Sequence, residues 1–189
     1  MNKIPNTALL VMDIMNGMIS RLGANAEPLI GSLTTAIAAA RAAGIPVIYI
    51  VVGFRKGSPE ISPANKSFSA FKQNPAVMAG LEEPLTVHAS VVPRPGEIVV
   101  TKRRISAFTG SDLEVVLRAQ GIRHMVLTGI STSGVVLSTL REAADKDYEL
   151  TVLSDGCADA DAEVHQLLLG KIFPRQADVM TVKDWSDGL

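Results

Sequence analysis

The chain has 189 residues, enough for one domain with a sizeable core. Its 47% hydrophobic content and mean hydropathy of +0.26 predict a well-filled interior and some apolar surface shared between subunits of a homo-oligomer. A net charge of −1, 4% aromatic residues and one short basic cluster, Lys102-Arg103-Arg104, exclude the basic stripe and stacking platform of a nucleic-acid binder.

The first apolar run, Ala8–Met12, reads as a strand cut off by Asp13. It is too short for a signal peptide or a membrane span, so a cytoplasmic protein with no membrane partner is expected. Leu29, Leu33, Ile37 and Ala40 recur at helical spacing in a helix over 29–43, stopped by Gly44 with Pro46 beyond. Val47–Val52 is the second strand. The segment Gly53–Gly96 breaks the rhythm: it holds six prolines and no strong period. A stretch of that length in a compact domain reads as a lid with short helices. Its Phe54, Phe68 and Phe71 either line a pocket or pin the lid to the body.

Glu97–Thr101 is the third strand, followed at once by Lys102. A helix over 112–120 follows Ser111, a natural cap, and ends at Gly121. His124–Thr128 is the fourth strand, and it runs into Gly129-Ile130-Ser131-Thr132-Ser133-Gly134-Val135-Val136 and a helix over 132–147. Glu149–Leu153, a helix over 161–171 and a last strand over 178–182 complete the pattern. Several strands are continuously apolar, as when both faces are covered. Strands alternating with helices predict a three-layer, doubly wound α/β domain over 1–189 with a parallel sheet. No Gly-x-Gly-x-x-Gly or phosphate-loop lysine motif is present, so the Rossmann-like pattern implies no dinucleotide and no cofactor is expected. One cysteine, Cys157, leaves no intrachain disulfide and suits a reducing compartment.

Ligands of open α/β sheets bind beyond the carboxyl ends of the strands. Three segments deliver polar groups there. Asp13 either points into a cavity at the tip of the first strand or caps the next segment. Lys102 either pairs with Asp13, keeping it ionised as a base, or is an exposed lysine beside two arginines. The small residues Gly129 to Gly134 bring backbone N–H groups to a helix start, an anion or oxyanion site. The hydroxyls of Ser131, Thr132 and Ser133 read first as N-caps.

These residues together resemble the isochorismatase-like (cysteine) hydrolases. The resemblance rests on Asp13 after strand one, Lys102 before Ser106-Ala107-Phe108, and the turn running into Ser138-Thr139-Leu140-Arg141. Asp155-Gly156-Cys157-Ala158-Asp159 after strand five also fits. It implies a six-stranded parallel sheet in the order 3-2-1-4-5-6 and dimers or larger assemblies. It also implies a non-proline cis peptide at Ile130–Ser131 and an oxyanion hole in the turn. In the family's cysteine members, the aspartate deprotonates a nucleophilic cysteine and the lysine supports the charged state. The register from Gly129 to Arg141 puts Val135 at that cysteine's position, and a slip of one residue would put Gly134 there. Met15 replaces a usual glutamine, while Asn16 is retained. His88, His124 and His165 are too scattered for a metal site, so no zinc is expected. Cys157 reads first as structural, with the nucleophile of a cysteine hydrolase as its last-ranked alternative.

The expected function is hydrolysis of a small polar amide, carboxylate or enol ether by Asp13 and Lys102, without a covalent cysteine intermediate. Ile130, Ser131, Thr132, Ser133, Gly134, Asn16, Phe54 and Phe68 are the substrate-binding candidates. The alternative is an inactive pseudoenzyme or a small-ligand-binding protein on the same fold.

Overall fold

A computed structural model describes residues 6–74, 78 and 87–189. Six parallel strands form one sheet in the order β3-β2-β1-β4-β5-β6. They are β1 (Thr7–Met12), β2 (Val47–Val52), β3 (Ile98–Lys102), β4 (His124–Ile130), β5 (Glu149–Ala158) and β6 (Asp178–Met180). This is the expected doubly wound α/β sandwich.

The apolar strands are explained by two cores. Leu9 and Val11 of β1 face one layer, and Ala8, Leu10 and Met12 face the other. The first layer holds α1 (Ala26–Ala42), which buries Leu29, Leu33, Ala36, Ile37 and Ala40. Its end is a Schellman motif. Gly44 sits at φ 71°, its N–H bonds the Arg41 carbonyl, and the Ile45 N–H bonds the Ala40 carbonyl. The opposite layer holds α3 (Leu113–Ala119) and α4 (Leu137–Ala144), around Leu113, Leu117, Leu140 and Phe173.

Several boundaries differ from the sequence expectation for local reasons. Strand β3 begins at Ile98, because the Glu97 carboxylate is engaged by Arg41 and by the Arg94 N–H. Strand β6 stops at Met180, because the Thr181 side chain accepts from the Asp184 N–H and starts α6 (Val182–Asp187). The helix expected over 132–147 opens as a wide π-type turn, Thr132–Val136, before α4 begins. The segment expected over 161–171 likewise divides into α5 (Ala162–Leu167) and a π-type turn, Leu168–Ile172. Strand β5 runs on to Ala158, bulging between Val152 and Cys157 where it pairs with β4.

Within the expected lid lies α2 (Lys66–Lys72), capped by the Asn65 side chain, which accepts from the Phe68 N–H at 3.1 Å. Residues 75–77 and 79–86 of the expected lid lie outside the described residues. Among the described residues, no helix is long and apolar enough to cross a membrane.

Candidate active site

Strand β1 ends in a backbone conformation that aims its last side chain. Asp13 has φ 56°, in the left-handed region that aspartate tolerates better than most residues. Its N–H still bonds the Ile50 carbonyl, so the tip stays tied to β2. Across β2, the last residue of β3 is Lys102. Its ammonium lies 2.9 Å from Asp13 Oδ2, and the two side chains are 3% and 6% exposed. The exposed-lysine alternative is therefore overturned. Arg103 and Arg104 turn outward to Glu60, while Lys102 turns inward.

Lys102 Nζ also donates to the Arg104 carbonyl at 2.9 Å and the Ile105 carbonyl at 3.1 Å. With Asp13, these take up its three N–H bonds. Asp13 Oδ1, by contrast, is buried and makes no hydrogen bond of ordinary geometry. Burial pushes the Asp13 carboxyl above the usual carboxylate value, against the opposing pull of Lys102 and the Val52 backbone. Lys102 favours the charged form, as the pairing predicts, but burial is the larger effect. Complete burial reverses the net direction.

Both residues line a cavity of about 320 Å³ at the carboxyl ends of the strands. Ile130, Ser131, Gly134 and Val135 form one wall, and Ser67, Phe68 and Phe71 of α2 form another. Val135 is 3% exposed. The Ile130–Ser131 peptide is cis, at the expected bond. Gly129 can only be glycine. At φ 148°, a Cβ there would run into the Met12 carbonyl oxygen and lie 2.9 Å from the Met12 Cβ. Gly134 leaves room for the Ser131 hydroxyl, which would sit 2.6 Å from an added Cβ.

Four candidates lie elsewhere. Thr132 is buried, but its hydroxyl meets His165 Nδ1 at 2.8 Å, away from the cavity. Ser133 is exposed, and its N–H donates to Asp159 Oδ2 at 2.7 Å. The hydroxyls of Ser131, Thr132 and Ser133 make no cap, because other groups take the amides of the turn. The Gly134 and Val136 N–H groups both bond the Ser131 carbonyl. Asn16 is exposed on a single helical turn after β1. Phe54 is buried behind Phe68, edge to face at 5.6 Å, and pins the lid instead of lining the pocket.

Sequence reasoning gave no role to Asp159, which lines the cavity from the end of β5. Its position one residue beyond a strand was the available signal. Burial works against its charge, but the Ser133 N–H and hydroxyl and the N–H groups of Asp161 and Ala160 outweigh burial and hold its carboxyl below the usual range. Cys157 is 5% exposed, and burial pushes its thiol up to about 12. Its Sγ lies 3.9 Å from the Leu127 carbonyl oxygen, in the core and not in the Asp13 cavity. A thiol so placed is disfavoured as a nucleophile. Among the described residues, no group of three His, Cys, Asp or Glu side chains is arranged to hold a metal ion.

An acid, a lysine and a small-residue turn at the strand tips occupy the place where open α/β sheets bind their ligands. Comparison with known proteins narrows the class. The isochorismatase domain model matches residues 7–184, and the chain belongs to the isochorismatase family. It is 32% identical to the ureidoacrylate amidohydrolase RutB of Enterobacter sp. (strain 638), over 97% of this chain and 89% of that protein. It is 35% identical to RutB of Pseudomonas syringae pv. syringae (strain B728a), over 85% of this chain and 74% of that protein. An isochorismatase family protein from Burkholderia thailandensis superposes with a TM-score of 0.83 at 28% identity, over 100% of this chain and 97% of that one. A cysteine hydrolase from Pseudomonas syringae pv. phaseolicola 1448A shares the fold with a TM-score of 0.87 at 22% identity, over 99% and 93% of the two chains.

Proposed function

We propose that this chain hydrolyses a small amide or related carbonyl compound by activating water directly, with no covalent intermediate. The observation that carries the reading is Asp13. Its Oδ2 is held by Lys102, its Oδ1 is buried without a hydrogen bond of ordinary geometry, and the residue lines the cavity. An oxygen so placed can accept a proton from water as that water attacks a carbonyl carbon. The developing oxyanion would face the backbone N–H of Val135, which does not depend on the Val135 side chain; the N–H groups of Ser133, Gly134 and Val136 are already engaged. The proton on Asp13 then passes to the leaving nitrogen as the C–N bond breaks, giving an acid and an amine. Lys102 has no N–H left for a substrate, so it positions Asp13 and does not bind the ligand. The name amidohydrolase carried by the RutB relatives favours an amide within this class.

Turnover requires ionised Asp13. Because its pKa lies above the ordinary carboxylate value, kcat/KM should rise with pH through that raised pKa and be lost below it. The test is a panel of small amides assayed with the native chain and with Asp13→Asn. Turnover with an acid limb that Asp13→Asn abolishes is expected. Turnover unchanged in that variant would overturn the proposal.

A second reading, a binding protein without chemistry, is favoured by the apolar Val135 side chain in the cavity wall. It expects amides to bind the native chain without product, and Val135→Cys to gain amidase activity. Native turnover that depends on Asp13 would remove this reading.

A further inference from the structure

Three charged residues line the Asp13 cavity among the described residues: Asp13, Lys102 and Asp159. Asp13 and Lys102 neutralise each other at 2.9 Å, and Lys102 has no N–H left to offer a ligand. Asp159 remains. Its Oδ2 accepts from the Ser133 N–H at 2.7 Å and its Oδ1 from the Asp161 N–H at 3.3 Å. The Ser133 hydroxyl and the Ala160 N–H also favour its charged form, but no salt bridge with a cation reaches Asp159 among the described residues. The titratable neighbour, His165, is engaged by the Thr132 hydroxyl, and burial lowers its pKa against the pull of Asp159, which favours its neutral form. A second, independent feature points the same way. Asp13 Oδ1 is a buried acceptor without a hydrogen bond of ordinary geometry, in a residue 5% exposed and on the same cavity. Nearly all the remaining wall is apolar: Met18, Leu22, Phe68, Phe71, Ile105 and Val135 among it. The described wall therefore asks for donors, offers apolar contact, and carries one net negative charge when Asp13 is ionised.

We propose that Asp159 is a specificity-determining residue and that the ligand is a small amide carrying an ammonium or amidinium group, its amide N–H near Asp13 and its cation at Asp159. A ligand carboxylate would meet Asp159 with no free cationic donor in the described wall to offset the repulsion. This sets the chain apart from a relative named for a carboxylate-bearing compound, ureidoacrylate. The proposal rests on the reading that the Asp13 cavity is the ligand site.

The test uses three primary amides of similar length: 4-aminobutanamide (ammonium), pentanamide (methyl) and succinamate (carboxylate). Binding to the intact chain is measured by calorimetry, and turnover by ammonia release. The ammonium amide should bind about tenfold more tightly than pentanamide, a ratio that falls as salt is added, with succinamate weakest. In Asp159→Asn, which keeps an acceptor for the Ser133 N–H, the ammonium-to-methyl ratio should fall to about one. Equal binding of the three amides by the native chain, or succinamate binding best, would overturn the proposal. So would an ammonium preference that survives both salt and Asp159→Asn. If the preference holds without any ammonia release, charge selection stands and the hydrolase reading fails. If succinamate is the amide hydrolysed, the hydrolase reading stands and charge selection fails.

Discussion

Replacing Lys102 by methionine removes the charge while keeping most of the stem's volume. It leaves Asp13 in a site where both side chains are no more than 6% exposed. Breaking a buried ion pair by removing one partner costs about 3–5 kcal/mol, because a buried charge is left uncompensated. The Arg104 and Ile105 carbonyls also lose their donor, which pushes the loss toward the upper end of that range. Domains of this kind have about 5–15 kcal/mol of stability in total, so the effect should be plain in urea unfolding at neutral pH. The pH dependence gives a second check. Asp13 already has a folded-state pKa above its unfolded value, so its stability contribution is full below the unfolded pKa and lost as pH rises through the folded one. Lys102 opposes that rise, so removing it lifts the folded pKa further and widens the window. The variant's deficit should therefore shrink between neutral pH and about pH 5, as the lone carboxyl takes up a proton. The double variant Asp13→Leu/Lys102→Met, with no buried charge, should recover most of the stability. A deficit below about 1 kcal/mol would refute the reasoning, as would one that is the same at both pH values.

Two further predictions concern the strand tips. Gly129→Ala places a Cβ against the Met12 carbonyl at φ 148°, and backbone cannot move aside as a side-chain end can. A loss of about 3 kcal/mol or more is expected by thermal or urea unfolding, and a native-like midpoint would contradict the geometry. Cys157, buried and with its thiol raised to about 12, should react with a thiol reagent only after denaturant is added. Rapid alkylation of the native chain that abolishes turnover would restore this cysteine as a nucleophile.

The sheet was legible because its signal is local. A run such as Leu9-Leu10-Val11-Met12 can be apolar without interruption only if both faces are covered, and both are. The strand tips were legible for the same reason. Asp13, Lys102 and the Gly129–Val135 turn each follow directly from an apolar run, and a strand that ends at the edge of a sheet delivers its next residue to that edge. Boundaries slipped where a side chain intervened, from a distant helix as Arg41 does at Glu97, or from the next residue as Thr181 does at the end of β6.

What the chain alone determined, then, is the layered parallel sheet and the set of residues brought to its carboxyl edge. Tertiary structure decided which of those residues face one another. Lys102 reads like its neighbours Arg103 and Arg104, but it ends β3 on the same buried face as Val100, where Asp13 and two backbone carbonyls meet its ammonium. Phe54 and Phe68 are alike in sequence, yet one lines the cavity and the other stands behind it. Asp159 becomes part of the site because β5 bulges and then continues beside β4. The direction of Asp13's titration belongs to the same group. It is set by how completely water is removed around the carboxyl relative to the strength of one ion pair, and both are distances through space that no spacing along the chain encodes.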